Sequence, residues 1–334
     1  MKAVTTVAIA VVGAVVMAAC ASGESNASRS DDREGTTTTT PAPTSTSAPT
    51  STTPATAPTQ LPPSGEVPAP VAPGKQWLLS FGEEFSGTEL DTSKLSPCFD
   101  WNLGSCTGSF NGGREWYSPS QVQVSDGSAK LVAEPGRDPN ASGQACLRGK
   151  CSYRSGLLST ARPLASDGSD YFYQFTYGYV EARMKLPTTQ GFFSALWMLP
   201  ADPTYVYQSE IDIVEVLGYD PETMYMNYHY DDRSAEFSPN EGTGDNGACS
   251  AEDRTGDWVQ FGLDWQPTHI AWYIDDVKCG QFDGDSSTIE SGPMQLIVNL
   301  MVDHQWERDL GYALADPSIT RQLELDYLRV YQQQ

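Results

Sequence analysis

Histidine is scarce in this chain of 334 residues, with three in all (His229, His269 and His304), and none of the seven cysteines forms a CxxC pair. Zinc ligation therefore has almost no raw material. Positive charge is short as well: 20 Lys and Arg stand against 43 Asp and Glu, a formal net charge of -23. That field repels a phosphate backbone and excludes nucleic acid as a partner. Aromatic residues are missing between Ser22 and Pro73, where the sequence is nearly all Thr, Pro, Ser, Ala and Gly. Such a stretch cannot bury enough apolar surface to offset chain ordering, so residues 21–73 read as a disordered linker. In polyproline II geometry, roughly fifty residues at about 3.1 Å each would reach about 150 Å, enough to clear a cell envelope.

The N-terminus carries one early Lys2, an uncharged run of apolar and small residues from Ala3 to Ala19, and then Cys20. The run is slightly short of the roughly 20 residues a spanning helix needs, and no basic cluster follows it, so residues 1–20 read as an export signal. Met17-Ala18-Ala19-Cys20 resembles a bacterial lipoprotein signal, in which the cysteine is lipidated and becomes the first mature residue; Met17 stands where leucine is usual. Ordinary cleavage after Ala21 is the alternative. Setting Cys20 aside leaves six cysteines, an even number that suits an exported protein. They fall as Cys98 with Cys106, Cys146 with Cys151 and Cys249 with Cys279, an order that suggests neighbour pairing among fifteen connectivities. The expected location is outside the cell, held to the membrane only by the lipid on Cys20, or freely secreted. A monomer is expected.

From residue 74 onward the chain holds short apolar runs divided by Gly, Pro, Asn and Asp, and no stretch of convincing helical periodicity. Val122 to Val124 and Lys130 to Ala133 flank Asp126-Gly127, a strong hairpin signal. Tyr179 to Leu186 alternates, with Val180, Ala182, Met184 and Leu186 on one face and Glu181, Arg183 and Lys185 on the other. Ten or more such strands over about 260 residues predict a single all-β domain, residues 74–334, built as a two-sheet β-sandwich.

The run Glu210-Ile211-Asp212-Ile213-Val214-Glu215 sets three acids among β-branched residues. With a period of two, Glu210 and Asp212 share a face while Glu215 points into the core, which an unpaired carboxylate cannot tolerate. A β-bulge near Val214 would return Glu215 to the face of the other two. Three like charges on one face require that at least one hold a proton near neutral pH. That is the condition for retaining glycoside hydrolysis, with Glu210 as nucleophile, Glu215 as general acid/base and Asp212 supporting the nucleophile. Spacing alone also allows an acidic strand whose carboxylates simply stay hydrated.

The flanking motifs add to this reading. The acid motif resembles the signature of glycoside hydrolase family 16, the laminarinase-like enzymes, in its bulged form. Phe81-Gly82-Glu83-Glu84-Phe85, Tyr179-Val180-Glu181-Ala182-Arg183-Met184, Ala195-Leu196-Trp197-Met198-Leu199-Pro200, Asn227-Tyr228-His229-Tyr230 and Leu325-Asp326-Tyr327-Leu328-Arg329-Val330-Tyr331 follow in the family's order. The resemblance implies a jelly-roll sandwich and an endo-acting hydrolase of a β-linked polysaccharide, a β-1,3-glucan first. It also implies that Trp197 is a sugar-stacking platform and that His229 lies beside the acid/base on the leaving-group side. Asn111 and Trp116 match the family's glycone-binding loop loosely, with Gly113 where a glutamate is common. No cofactor is implied for catalysis, but a structural calcium is, with Asp326 as the matching ligand. A transglycosylase, a galactan hydrolase and a non-catalytic carbohydrate-binding lipoprotein remain alternatives on the same fold.

Overall fold

The computed structural model describes residues 77–99, 106–109, 112–141, 146–161, 172–201, 209–230, 240–245, 247–250 and 252–333. Residues 1–73, where the sequence leads one to expect an export signal with Cys20 and then a linker, and Asn111 lie outside the described residues. In chain order the strands are β1 (Trp77–Glu83), β2 (Glu115–Tyr117), β3 (Val122–Ser125), β4 (Ser128–Pro135), β5 (Tyr153–Ser155) and β6 (Leu157–Ser159). There follow β7 (Gly178–Lys185), β8 (Phe192–Pro200), β9 (Ser209–Leu217), β10 (Tyr225–Tyr230) and β11 (Asn240–Asp245). The last are β12 (Val259–Gln266), β13 (His269–Ile274), β14 (Val277–Asp283), β15 (Met294–Val302) and β16 (Arg321–Gln333), with one short helix, α1 (Gln305–Asp309), after β15.

These strands form two sheets, and the all-β sandwich is the architecture the sequence predicts. The larger has ten strands in the order β14-β13-β12-β7-β16-β4-β5-β2, with β1 on β16 and β3 on β4; the smaller runs β11-β10-β9-β8-β15-β6. Asp126 and Gly127 take φ of 54° and 77° between Ser125 and Ser128, which pair directly. This is the two-residue turn whose twist matches that of its flanking strands. The three cysteine pairs are bonded as neighbours, Cys98–Cys106, Cys146–Cys151 and Cys249–Cys279.

Side-chain alternation decides what lies between the sheets. Val180, Ala182 and Met184 of β7 meet Phe192, Leu196 and Met198 of β8 and Ile211 and Ile213 of β9 in the main core. The odd-numbered residues of β8, namely Phe193, Ala195, Trp197 and Leu199, point the other way and build a second apolar cluster with Tyr117, Leu217, Ile297 and Met301. The smaller sheet is therefore buried on both faces, and its outer face is where the acids of β9 emerge.

They emerge through the predicted bulge. Across β8, Ala195 pairs with Glu215 and Trp197 with Asp212. Residues 195 and 197 share a face, so their partners do too, although these are three positions apart. The extra residue is absorbed at Ile213 and Val214, both about 1% exposed and both in the main core. On the other flank Tyr225 pairs with Glu215 and Asn227 with Asp212, with the register shift between them. A bulge interrupts the ladder, and here the indole N–H of Trp272 on β13 reaches across the core and donates to the Asp212 carbonyl at 2.9 Å. Trp272→Phe should therefore destabilise the domain by about 2–4 kcal/mol in urea unfolding, combining a buried carbonyl left unpaired with lost ring volume. Wild-type stability in that variant would remove the tryptophan from any part in holding the kink.

Candidate active site

Three strands place the site on the outer face of the smaller sheet. Glu210 pairs with His229, Asp212 with Asn227 and Glu215 with Tyr225 across β9 and β10. Asp212 is 2% exposed, while Glu210 and Glu215 are half-buried. The Nε2 of His229 lies 3.3 Å from Asp212 Oδ2. Asn227 donates through Nδ2 to Glu215 Oε2 at 3.4 Å.

Burial and mutual repulsion set the proton affinities. Loss of hydration pushes Glu215 well above the usual carboxylate range, the charges of Asp212 and Glu210 push it further, and the Asn227 hydrogen bond opposes them. Glu210 is pushed up to about 8 by burial and by Asp212, with the charge of His229 pulling the other way. For His229 burial favours the neutral ring, but the hydrogen bond to Asp212 and the charges of Asp212 and Glu210 outweigh it, and its pKa rises. One donor atom each from Glu210, Asp212 and His229 falls within 4.8 Å of the others, a grouping that could hold a metal ion and equally a shared proton.

Trp197 stands beside Asp212 in the same row, 6% exposed, and its indole N–H donates to Asn299 Oδ1 at 2.7 Å. Its ring belongs to the second apolar cluster, so it forms part of a floor under the acids and not a free-standing shelf. The structure corrects two expectations. His229 contacts Asp212 and pairs with Glu210, whereas Asn227 and Tyr225 are the residues next to Glu215. Trp116, on β2, faces away from Tyr117 and packs 7% exposed against Ala141 and the Cys146–Cys151 disulfide, apart from the acids.

Asp326 sits on the outer face of the larger sheet, at a register shift between Leu325 and Tyr327, where Arg183 Nη1 donates to its Oδ2 at 2.8 Å. That oxygen is engaged by a guanidinium, which a cation bound at it would have to displace.

Other residues at the site were not anticipated. Trp306 of α1 meets the ring of Tyr225 edge-on at 4.7 Å and that of Phe193 at 5.9 Å, extending an aromatic surface from the Glu215 end of the row. A capping box holds the helix: His304 accepts from the Trp306 N–H, and Glu307 accepts from the His304 N–H at 3.2 Å. The pairing of His304 with Glu307 three residues later was the available signal, obscured because histidine is an uncommon cap.

The sandwich with these acids on its outer face is a jelly roll of the carbohydrate-active kind. The chain belongs to glycosyl hydrolases family 16, whose model matches residues 153–326, a little over half of the 334. It is 30% identical over 267 residues to an endo-1,3-1,4-beta-glycanase of Rhizobium meliloti, a match taking in 75% of this chain and 51% of that protein. The chain thus spans about half the length of that curated relative. It is 27% identical to a beta-glucanase of Rhodothermus marinus, over 76% of this chain and 85% of that one. In fold it is like the catalytic domain LamAcat from Zobellia galactanivorans, with a TM-score of 0.60 at 24% identity over 76% of this chain and 97% of that. The laminarinase catalytic domain from Thermotoga maritima superposes with a TM-score of 0.58 at 23% identity, over 77% and 98%.

The raised proton affinity of Glu215 carries a stability consequence. The folded chain keeps a proton that the unfolded chain releases above the ordinary value of 4.5, so stability falls as pH climbs from there toward the folded-state value. Glu215→Gln removes that loss. Calorimetry should give the variant the higher Tm at pH 8, with the gap closing toward pH 4. Equal Tm values at both pH values would contradict the assignment of a buried, repelled carboxyl to residue 215.

Proposed function

We propose that the chain is a retaining, endo-acting glycoside hydrolase of a β-linked polysaccharide, a β-1,3-glucan in the first instance. The observation that carries this reading is the bulge that puts Glu215, Asp212 and Glu210 in one row beside a buried tryptophan. In the first step Glu215 gives its proton to the glycosidic oxygen while the Glu210 carboxylate attacks the anomeric carbon. The carbon–oxygen bond to the leaving chain breaks and a glycosyl ester forms on Glu210. In the second step Glu215, now the base, takes a proton from a water that attacks the same carbon. The ester breaks and the product keeps its configuration.

The division of labour follows from the surroundings. Glu215 has the more strongly raised affinity and so carries the proton. His229, whose proton affinity the contact with Asp212 raises, favours ionisation of Glu210 when it is protonated. Asp212 orients both through its place between them. Trp197 would offer apolar ring surface to the sugar's C–H groups. Tyr225 and Trp306, at the Glu215 end, lie where the leaving chain departs.

Named relatives support the substrate class: two glycanases of Rhizobium meliloti are described as acting on 1,3-1,4-β links, and a Niallia circulans relative as a glucan endo-1,3-beta-glucosidase. Incubating the purified domain with a panel of β-glucans and galactans, with and without acceptor sugars, should release oligosaccharides from a β-1,3-glucan. Glu210→Gln should lower that release by at least about 10³-fold, since it removes a nucleophile. The pH profile should be bell-shaped, its acid limb set by Glu210 and its basic limb by Glu215. Release by the variant equal to wild type would sink the mechanism, and release from galactans alone would move the specificity.

We also propose that the chain is exported and anchored through lipid on Cys20, with residues 21–73 as the stalk. The Lys2, apolar run and Met17-Ala18-Ala19-Cys20 order support it. In a bacterial host Cys20→Ala should move the protein from the membrane pellet to the soluble exported fraction. Membrane retention of that variant would argue for a different anchor.

A further inference from the structure

Strand pairing brings one of the three histidines against two carboxylates. His229 on β10 stands opposite Glu210 on β9, and Asp212 lies two residues further along the same face. The Nε2 of His229 is 3.3 Å from Asp212 Oδ2, and one donor atom each of Glu210, Asp212 and His229 lies within 4.8 Å of the others. Asp212 is 2% exposed, its Oδ2 is turned into this group, and among the described residues no donor other than the His229 ring is in reach of that oxygen. No spacing along the chain announces the set. It exists only in the register of β9 with β10, so counting histidines and CxxC pairs misses it.

The distances are those of a metal shell. Ligands about 2.0–2.1 Å from a tetrahedral zinc lie roughly 3.3–3.4 Å apart, and the His229 nitrogen and Asp212 oxygen already do. Glu210 is half-buried and keeps room to turn, so rotation about its side-chain bonds closes a remaining gap of at most about 1.5 Å. The paired strands fix the backbone at all three positions.

Ligand chemistry selects the ion. Two carboxylates and a neutral imidazole balance the charge of a divalent cation, in a patch where three acids otherwise repel one another. An imidazole among the ligands suits zinc and the neighbouring transition metals, whereas calcium and magnesium call for oxygen throughout. Three protein ligands leave a fourth position open to water, which makes the site exchangeable where a closed four-ligand site is structural. We propose that Glu210, Asp212 and His229 bind a divalent cation of the zinc kind, and that its occupation switches the enzyme off. The metal would engage both the carboxylate assigned as nucleophile and the group that supports it, so neither could serve a sugar until the metal leaves. Binding of the metal is independent of the hydrolase reading; the inhibition rests on it.

A second histidine supplies an internal control. His269 Nε2 lies 3.2 Å from Asp264 Oδ2, a comparable contact, but among the described residues no third ligand joins that pair. The experiment is a calorimetric titration of the purified protein with zinc chloride, and with calcium and magnesium chloride for comparison. Wild type should take up one zinc ion per chain, at least about tenfold more tightly than either of the others. His229→Gln and Asp212→Asn should each weaken zinc binding by at least about tenfold, one ligand of three being lost, while His269→Gln leaves it unchanged. On the β-glucan that wild type cleaves, turnover should fall in step with zinc occupancy and return when a chelator is added. No zinc uptake by wild type, uptake undiminished in His229→Gln, calcium bound as tightly as zinc, or full turnover at full occupancy each overturns the proposal. If Asp212→Asn does not fold, His229→Gln decides the matter alone, its side chain being 29% exposed and carried on the neighbouring strand. A wild type inert on every glycan would defeat the hydrolase reading while the titration still tests the site; an active wild type that takes up no zinc would do the reverse.

Discussion

The kink in β9 is the constraint on which the rest of the site depends. A strand sends successive side chains to opposite faces, and here both faces are covered by protein. Without the extra residue at Ile213 and Val214, Glu215 would enter the apolar layer between the sheets, where an unpaired carboxylate costs several kcal/mol. With it, Ile211, Ile213, Val214 and Val216 all reach the main core while Glu210, Asp212 and Glu215 stay together outside. The irregularity is held from the far sheet, because Trp272 satisfies the Asp212 carbonyl at the point where the ladder fails. Core packing and the geometry of the acid row are thus set by the same few residues.

Concentrating three carboxyl groups on one patch has an electrostatic cost that the surroundings only partly offset. His229, held 3.3 Å from Asp212, supplies a positive charge when protonated, and the Asn227 amide supplies a neutral donor to Glu215. What remains uncompensated appears as raised proton affinity at Glu210 and Glu215. A chain selected for stability alone would replace one of them with a neutral side chain. In the proposed hydrolase the residue assigned to donate a proton is the one whose surroundings retain it.

Much of this was legible in the sequence, for identifiable reasons. The alternation of β7, the Asp126-Gly127 hairpin and the bulge follow from local rules that the sandwich does not override. Two strands show why others are hard to see: Asn240–Asp245 has no apolar residue, and Val277–Asp283 is exposed along most of its length. Trp116 and Tyr117 are adjacent aromatics, and only the pairing of β2 with β5 and its contact with the second cluster decide which of them faces the site. His229 was expected beside Glu215, but register across an antiparallel pair is a tertiary fact. The shift between Tyr225 and Asn227 that accommodates the bulge moves the histidine to the other end of the row.

Burial on both faces also changes how the strands of the smaller sheet are read. In β8 and β15 every residue is buried, so the apolar and polar alternation that identifies a core face elsewhere is erased. In such a strand a polar side chain has no solvent to face, and each one must find a partner inside the protein. Asn299 does so between Trp197 and Tyr117, in line with Ala195 and one strand removed from Glu215. An isolated polar residue in a long apolar run is thus more informative here than a charge on the alternating strands of the larger sheet, because burying it is tolerated only where something nearby requires its hydrogen bonds.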